Sequence, residues 1–225
     1  MIDQIRPSVI FRNFETNIID SDRTLTTLIP SPDIGSTTML EKAVLVSLLK
    51  LNKSKRIFEF GTFRGETTHL FCENSCPDSE IISIDLPKSV DQINSISDLS
   101  NLNLLNDVDN DNFLRKFRVN NMFPEFQAII KAEKKRVKLL ELDSRFIDPK
   151  NFYPIDFIFI DGGHSTELIE NDTRKSFKML SNSGIIVWHD YNSEIHMDVT
   201  NYLEKFSNEK NFTYSTYWVL CLQYI

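Results

Sequence analysis

Two short segments set acids and histidines side by side at the end of apolar runs: Ile160-Asp161-Gly162-Gly163-His164-Ser165 and Val187-Trp188-His189-Asp190-Tyr191-Asn192. Carboxylates hold cations and imidazoles move protons near neutral pH, so the two types together suit a general base, a divalent cation, or both. Two of the chain's 4 histidines, His164 and His189, fall here, each within three residues of an aspartate. A single histidine is more often a packed side chain. A pair beside acids at strand ends reads as the rim of a cleft, with His164 the first choice of base and His189 the second.

Three further acids close apolar runs earlier in the chain. Glu59 precedes a glycine-bearing turn, Phe58-Glu59-Phe60-Gly61-Thr62-Phe63-Arg64-Gly65-Glu66-Thr67-Thr68, that leaves a strand and opens a helix. Gly61 lets the backbone turn as it leaves the strand, and Gly65 removes a side chain where a ligand approaches the helix N-terminus. Phe63 stands where a dinucleotide site needs its second glycine, which disfavours NAD. Asp85 ends the next run about twenty residues after the glycines, the spacing of an acid that accepts hydrogen bonds from ribose hydroxyls. Leu142-Asp143-Ser144 ends the following one. An adenine amino group would find an acceptor there, and capping of the next helix by Asp143 or Ser144 is the competing account.

The elements that must position these residues are written in the hydrophobic pattern. Runs at 56–60, 81–85, 137–142, 155–161 and 184–189 are short, β-branched or aromatic, and apolar on both faces, as strands covered by helices on both sides require. Helical spacing at 38–51, 67–76, 125–136, 165–180 and 195–206 supplies the crossovers, with Ser165 as N-cap of the fourth and Ser183-Gly184 ending it. This alternation predicts an α/β, Rossmann-like doubly wound sheet, mostly parallel. The aromatic, β-branched tail 213–225 reads as one or two strands closing the sheet, antiparallel on its edge. Residues 1–50, with helix 38–51, read as a cover, and the Asn-, Asp- and Ser-rich segment 88–121 reads as a lid insertion or a polar loop.

Composition narrows the classes. A chain of 225 residues, 41% hydrophobic and 25% charged, suits a single domain over 1–225. A formal charge of −7 repels polyphosphate, so no nucleic-acid partner is expected. The basic run 131–138 reads as a solvated helix face. Three cysteines, Cys72, Cys76 and Cys221, form neither a disulfide framework nor a zinc set, which fits a reducing cytoplasm. Charges interrupt the N-terminal apolar residues, and no run approaches eighteen, so neither a secretory signal nor a membrane span is expected.

The segments EFGTFRGETT, SIDLP, LELDS and FIDGGHSTELIENDTRKSFKMLSNSGIIVWHDY, taken together, resemble the class I S-adenosylmethionine-dependent methyltransferases, nearest the small-molecule and sugar O-methyltransferase-like group. The resemblance covers residue 56 to the C-terminus and implies a seven-stranded sheet. It implies that Glu59, Gly61 and Gly65 cradle the methionine part of S-adenosylmethionine, with Thr62, Phe63, Thr67 and Asp161 also beside the cofactor. Asp85 and Leu86 would hold the ribose, and Asp143 and Ser144 would border adenine. Asp161, His164, His189 and Asp190 would face the acceptor. In the metal-dependent catechol-type and macrolide-sugar enzymes, carboxylates matching Asp161 and Asp190 bind Mg2+, whereas Tyr191 stands where the catechol type places Asn. The expectation is therefore a cytoplasmic O-methyltransferase for a small molecule, such as a sugar or glycosylated metabolite, with room for a homodimer. A hydroxylase on the same fold and a non-catalytic cofactor-binding subunit are the alternatives.

Overall fold

The computed structural model describes residues 25–27, 35–87, 109, 111, 112, 114, 131, 135–209 and 218–223. Helix α1 spans Met39–Leu51, β1 Arg56–Phe60, α2 Glu66–Asn74, β2 Glu80–Asp85 and β3 Val137–Glu141. Two 3-10 turns follow at Ser144–Phe146 and Pro149–Asn151. Then come β4 Ile155–Ile160, α3 Thr166–Met179, β5 Leu180–Tyr191, α4 Met197–Glu209 and β6 Trp218–Gln223. Residues 1–24 and 28–34 of the expected cover 1–50, most of the lid, most of helix 125–136, and residues 213–217, 224 and 225 of the tail lie outside the described residues.

The strands form one six-stranded sheet among the described residues, in the order β3-β2-β1-β4-β5-β6. Every described pairing is parallel, Phe58 standing between Ile82 and Ile158 at the centre. The doubly wound expectation holds, because a strand followed by a helix returns to the same end of the sheet. The antiparallel C-terminal edge strand does not. Trp218 pairs with Ile185 and Cys221 with Trp188 in parallel register. The reason is α4, which carries the chain back across the sheet before β6 begins.

A second correction concerns α3. Its N-cap Ser165 makes no side-chain capping bond, and the helix stops at Met179 with Leu180 already paired to Ile155. Residues 181–184 bulge out before Phe157 pairs with Ile185. Gly184 tolerates this because a Cβ there would sit 2.9 Å from the Ile155 carbonyl oxygen. Asp198 satisfies the start of α3 instead, accepting from Thr166 N–H and Oγ1–H, each at 3.0 Å.

Strand parity divides the core. Ile57, Ile81, Phe157, Phe159, Ile185 and Val187 face Leu45, Leu48 and Leu49 of α1 and Leu70 and Phe71 of α2. Phe58, Phe60, Ile82, Ile158, Ile186 and Trp188 face Ile169 of α3 and Val199 and Leu203 of α4. The Trp188 indole N–H donates to Thr173 Oγ1 at 2.9 Å, which satisfies its buried polar atom. On the first face the fully buried Lys42 ammonium pairs with Glu66 and ties α1 to the start of α2.

Helix α1 starts with a capping box: Thr38 Oγ1 accepts from Glu41 N–H at 3.3 Å, and Glu41 Oε2 accepts from Thr38 N–H at 2.6 Å. Thr38→Ala should cost about 1 kcal/mol and lower the thermal midpoint by roughly 2–4 °C in a protein of this size. An unchanged midpoint would show that the box does not hold α1 in place.

Candidate active site

The carboxyl ends of β1 to β5 open on one cavity of about 450 Å3. That lies within the roughly 300–1,000 Å3 range of small-molecule sites. Crevices of doubly wound sheets form at these ends because the loops diverge there.

At one end of the cavity, the turn after β1 runs through three residues of positive φ: Gly61 at 92°, Phe63 at 45° and Gly65 at 85°. Gly61 is required by packing as well as by conformation, since a Cβ there would lie 1.8 Å from the Asp161 carbonyl oxygen. Asp85 fixes the turn by accepting from Phe63 N–H through Oδ2 and from Leu86 N–H through Oδ1, both at 2.7 Å. Gly61, Phe63, Asp85, Leu86, Asp143, Ser144 and Asp161 all line the cavity.

Glu59, Thr62, Gly65 and Thr67 are not among the lining residues. Parity turns Glu59 to the α2 side of the sheet, where its Oε2 accepts from Thr68 Oγ1–H and, at 2.5 Å, from Ser83 Oγ–H. Its Oε1 is buried without a hydrogen-bond partner. Thr62 Oγ1 hydrogen-bonds Ser83 Oγ at 2.6 Å, and Gly65 is the N-cap of α2. Asp143 reaches the cavity but is held by Arg145, which approaches through Nη2 at 2.6 Å and Nε at 3.1 Å. It caps the following 3-10 turn as well, accepting from Arg145 N–H.

Burial pushes the Glu59 carboxyl up to about 8, further than the hydrogen bonds from Ser83 and Thr68 bring it down. The nearby charges of Asp161 and Asp85 add to the rise. The folded chain thus keeps a proton that the unfolded chain gives up near pH 4.3. Its stabilising contribution is complete below that value and is lost as pH rises toward about 8, by roughly 1.4 kcal/mol per unit. Glu59→Gln removes this slope. Urea unfolding across that range should show the variant gaining on wild type as pH rises, and parallel pH profiles would contradict it.

At the other end of the cavity the histidines meet the acids. His164 Nδ1 lies 2.5 Å from Asp111 Oδ1, its backbone N–H donates to Asp111 Oδ2 at 2.7 Å, and Nε2 lies 3.0 Å from Asp190 Oδ2. His189 Nδ1 lies 2.9 Å from Asp190 Oδ2 and 3.3 Å from Asp161 Oδ1, with Nε2 3.2 Å from Glu41 Oε1. Neither His189 nitrogen has hydrogen-bond geometry toward these oxygens. Asp190 reaches the rim from the end of β5 by adopting φ 57°.

Burial would lower both imidazoles, but the acids overturn it. Asp111 and Asp190 hold His164 well above its ordinary value, and Asp190 and Asp161 do the same for His189. Asp190 itself, despite burial, is held well below the carboxylate range by the two rings. These surroundings favour the protonated form of each ring, which works against its use as a neutral base. Asp161, His164 and Asp190 each offer a ligand atom, all within 4.8 Å of one another, and Asp111, His164 and His196 form a second such group.

A family model described as "Methyltransferase domain" matches residues 58–191, more than half of the chain. The chain belongs to the methyltransferase-domain family. The solved structures agree on a class I methyltransferase fold. A Staphylococcus aureus protein assigned as a caffeoyl-CoA O-methyltransferase aligns with TM-score 0.53 at 15% identity, covering 79% of this chain and 77% of that one. The O-methyltransferase TomG from Streptomyces achromogenes, solved in complex with SAM, aligns with TM-score 0.51 at 15% identity, covering 80% and 72%. The methyltransferase PaMTH1 from Podospora anserina, bound to SAH, has 18% identity and TM-score 0.42 over 67% of this chain. This chain spans about half of that protein, 52%. No curated protein matches the chain.

Several residues of this cavity were not singled out from sequence. Asp172 on α3 is buried and lines the wall beside Ser144, its carboxyl pushed up to about 6 by burial. An acid on the apolar stripe of a helix was the available signal. Glu41, which closes the capping box of α1, also reaches His189. Asp111 comes from the expected lid, and the His196 ring stacks on His164 with centroids 3.6 Å apart. Neither carried a local pattern that would have marked it. Among the described residues no helix is long and apolar enough to cross a membrane.

Proposed function

We propose that this chain is an S-adenosylmethionine-dependent O-methyltransferase acting on a hydroxyl of a small molecule. One observation carries the reading: a single cavity joins the glycine turn and its acids to the Asp161, His164, His189 and Asp190 rim. Two structural neighbours with TM-scores above 0.5 are named as O-methyltransferases, which supports oxygen as the accepting atom.

The residues present fit the cofactor. Ile84, Leu86 and Leu142 give apolar walls for a nucleoside, and Asp85 stands where a ribose diol would reach it. Asp143 is occupied by Arg145, so Ser144 and the buried Asp172 are the remaining polar groups for the base. Asp85 and Asp161 line the cavity on either side of the Gly61 turn. A concentration of carboxyls of this kind suits a ligand bearing sulfonium and ammonium charges.

When bound, S-adenosylmethionine supplies an electrophilic methyl group, and a divalent cation, Mg2+ in the simplest case, supplies Lewis acidity toward the acceptor hydroxyl. Asp161 and Asp190 would hold that cation. The chain's own contribution is to line up acceptor and methyl donor in a cavity that excludes water, which is most of what an in-line displacement needs. The rings of His164 and His189 are clamped between carboxylates, so they orient those carboxylates and hold the rim rigid. Sugars and glycosylated metabolites are the proposed acceptors, by analogy with the group the sequence resembles.

The test is incubation of purified protein with S-adenosylmethionine and a panel of phenolic and sugar hydroxyl compounds, with and without a chelator, read by product mass. Methylated oxygen that disappears with chelator is expected. An oxidised, unmethylated product would replace the reading with a hydroxylase. Cofactor binding without turnover across the panel would replace it with a binding subunit.

A further inference from the structure

We propose that His164 is a metal ligand, and that the Asp161–His164–Asp190 group is a one-nitrogen, two-carboxylate site that selects a transition-metal ion such as Mn2+ or Co2+ over Mg2+. This rests on the reading above that a cation sits between Asp161 and Asp190.

Three observations carry it. The donor atoms of Asp161, His164 and Asp190 lie within 4.8 Å of one another, and all three residues line the cavity where the acceptor would bind. His164 Nε2 and Asp190 Oδ2 lie 3.0 Å apart, a separation that two ligand atoms in adjacent positions on one ion can keep. The opposite nitrogen, Nδ1, is engaged by Asp111 at 2.5 Å, and the same carboxylate also takes the His164 backbone N–H at 2.7 Å. A carboxylate on the far nitrogen is the arrangement that fixes the tautomer and direction of metal-bound histidines. Stacking against His196 further prevents the ring from turning.

An imidazole donor changes which ion is preferred. Mg2+ demands hard oxygen ligands, while imidazole raises affinity for Mn2+, Fe2+ and Co2+ in rising order. Asp111 is a positioning residue here. It would not touch the ion, and it brings a residue of the expected lid into the control of the site.

Mn2+ and Mg2+, each added alone to chelator-stripped full-length protein, provide the test through calorimetric affinity and pulsed electron paramagnetic resonance of the Mn2+ form. One coupled 14N nucleus and affinity for Mn2+ about 10-fold or more above Mg2+ are expected. His164→Gln should abolish the nitrogen coupling and shrink the Mn2+ preference. Asp111→Asn should weaken Mn2+ by about 10- to 100-fold with the coupling retained. Circular dichroism and cofactor titration would show that each variant folds. Equal affinity for the two ions with no nitrogen coupling overturns the assignment of His164 and leaves the cation on Asp161 and Asp190. Two coupled nitrogens overturn the one-nitrogen site, whether the second comes from His189 beside Asp161 and Asp190 or from His196 of the Asp111–His164–His196 group. Failure of both ions to bind protein that still takes up cofactor removes the cation reading itself.

Discussion

Gly61→Ala is expected to destabilise the protein by about 3 kcal/mol or more and to abolish measurable cofactor uptake. The effect has two independent sources. The residue sits at φ 92°, which an L side chain rarely adopts, and its Cβ would meet the Asp161 carbonyl oxygen at 1.8 Å and the carbonyl carbon at 2.6 Å. That obstacle is backbone at the end of β4, so no rotamer change relieves it. Relief requires parting strands joined at this level by Gly61 N–H to Ile84 O and Asp161 N–H to Phe60 O, both 2.9 Å. Gly162→Ala is the control. Its Cβ would meet nothing closer than Asp172 Oδ2 at 3.3 Å, so near-native stability is expected. Urea midpoints and cofactor titration of the two variants settle the point, and a Gly61→Ala protein that unfolds and binds as wild type does would refute the account of the turn.

The second large effect is expected at the opposite end of the cavity. His164→Ala should reduce turnover about 100-fold or more, the typical span for a group that handles the acceptor proton or holds the agent that does. Cofactor affinity should change little, because the ring touches Asp111, Asp190 and His196 and none of the residues of the glycine turn. Steady-state rates compared with cofactor titration separate the two quantities. An unaffected rate removes His164 from the reaction, and a parallel loss of cofactor binding shows instead that the ring supports the whole cavity.

Much of the architecture could be read locally. The runs that became β1, β2, β3 and β4 are each matched to within a residue or two; β1, β2 and β4 lie inside the sheet, where apolar residues on both faces are covered, whereas β3 forms its edge and is largely exposed. Helices α1 to α4 followed from 3.6-residue spacing, while the capping box that starts the first came with the structure. The tail was less legible. Its β-rich composition marked a strand, but strand direction depends on how the chain returns to the sheet, and α4 returns it parallel.

The site divides in the same way. That acids end the strands, and that histidines accompany them after β4 and β5, is a property of sequence, since strands in this class present their carboxyl ends to one crevice. Which acids remain available is not. Glu59 and Phe60 differ by one residue, and the pleat turns one under α2 while the other lines the cavity. Asp143 reads as an acceptor until Arg145 is seen to occupy it. His164 reads as a base until Asp111 and Asp190 are found on its two nitrogens, and His189 until Glu41 arrives from α1. Periodicity and residue type act over a few neighbouring positions, so the chain alone determined the elements and the acidic tips. The contacts that decide the charge, tautomer and reach of each tip join residues from separate elements, and only the packing of those elements could decide them.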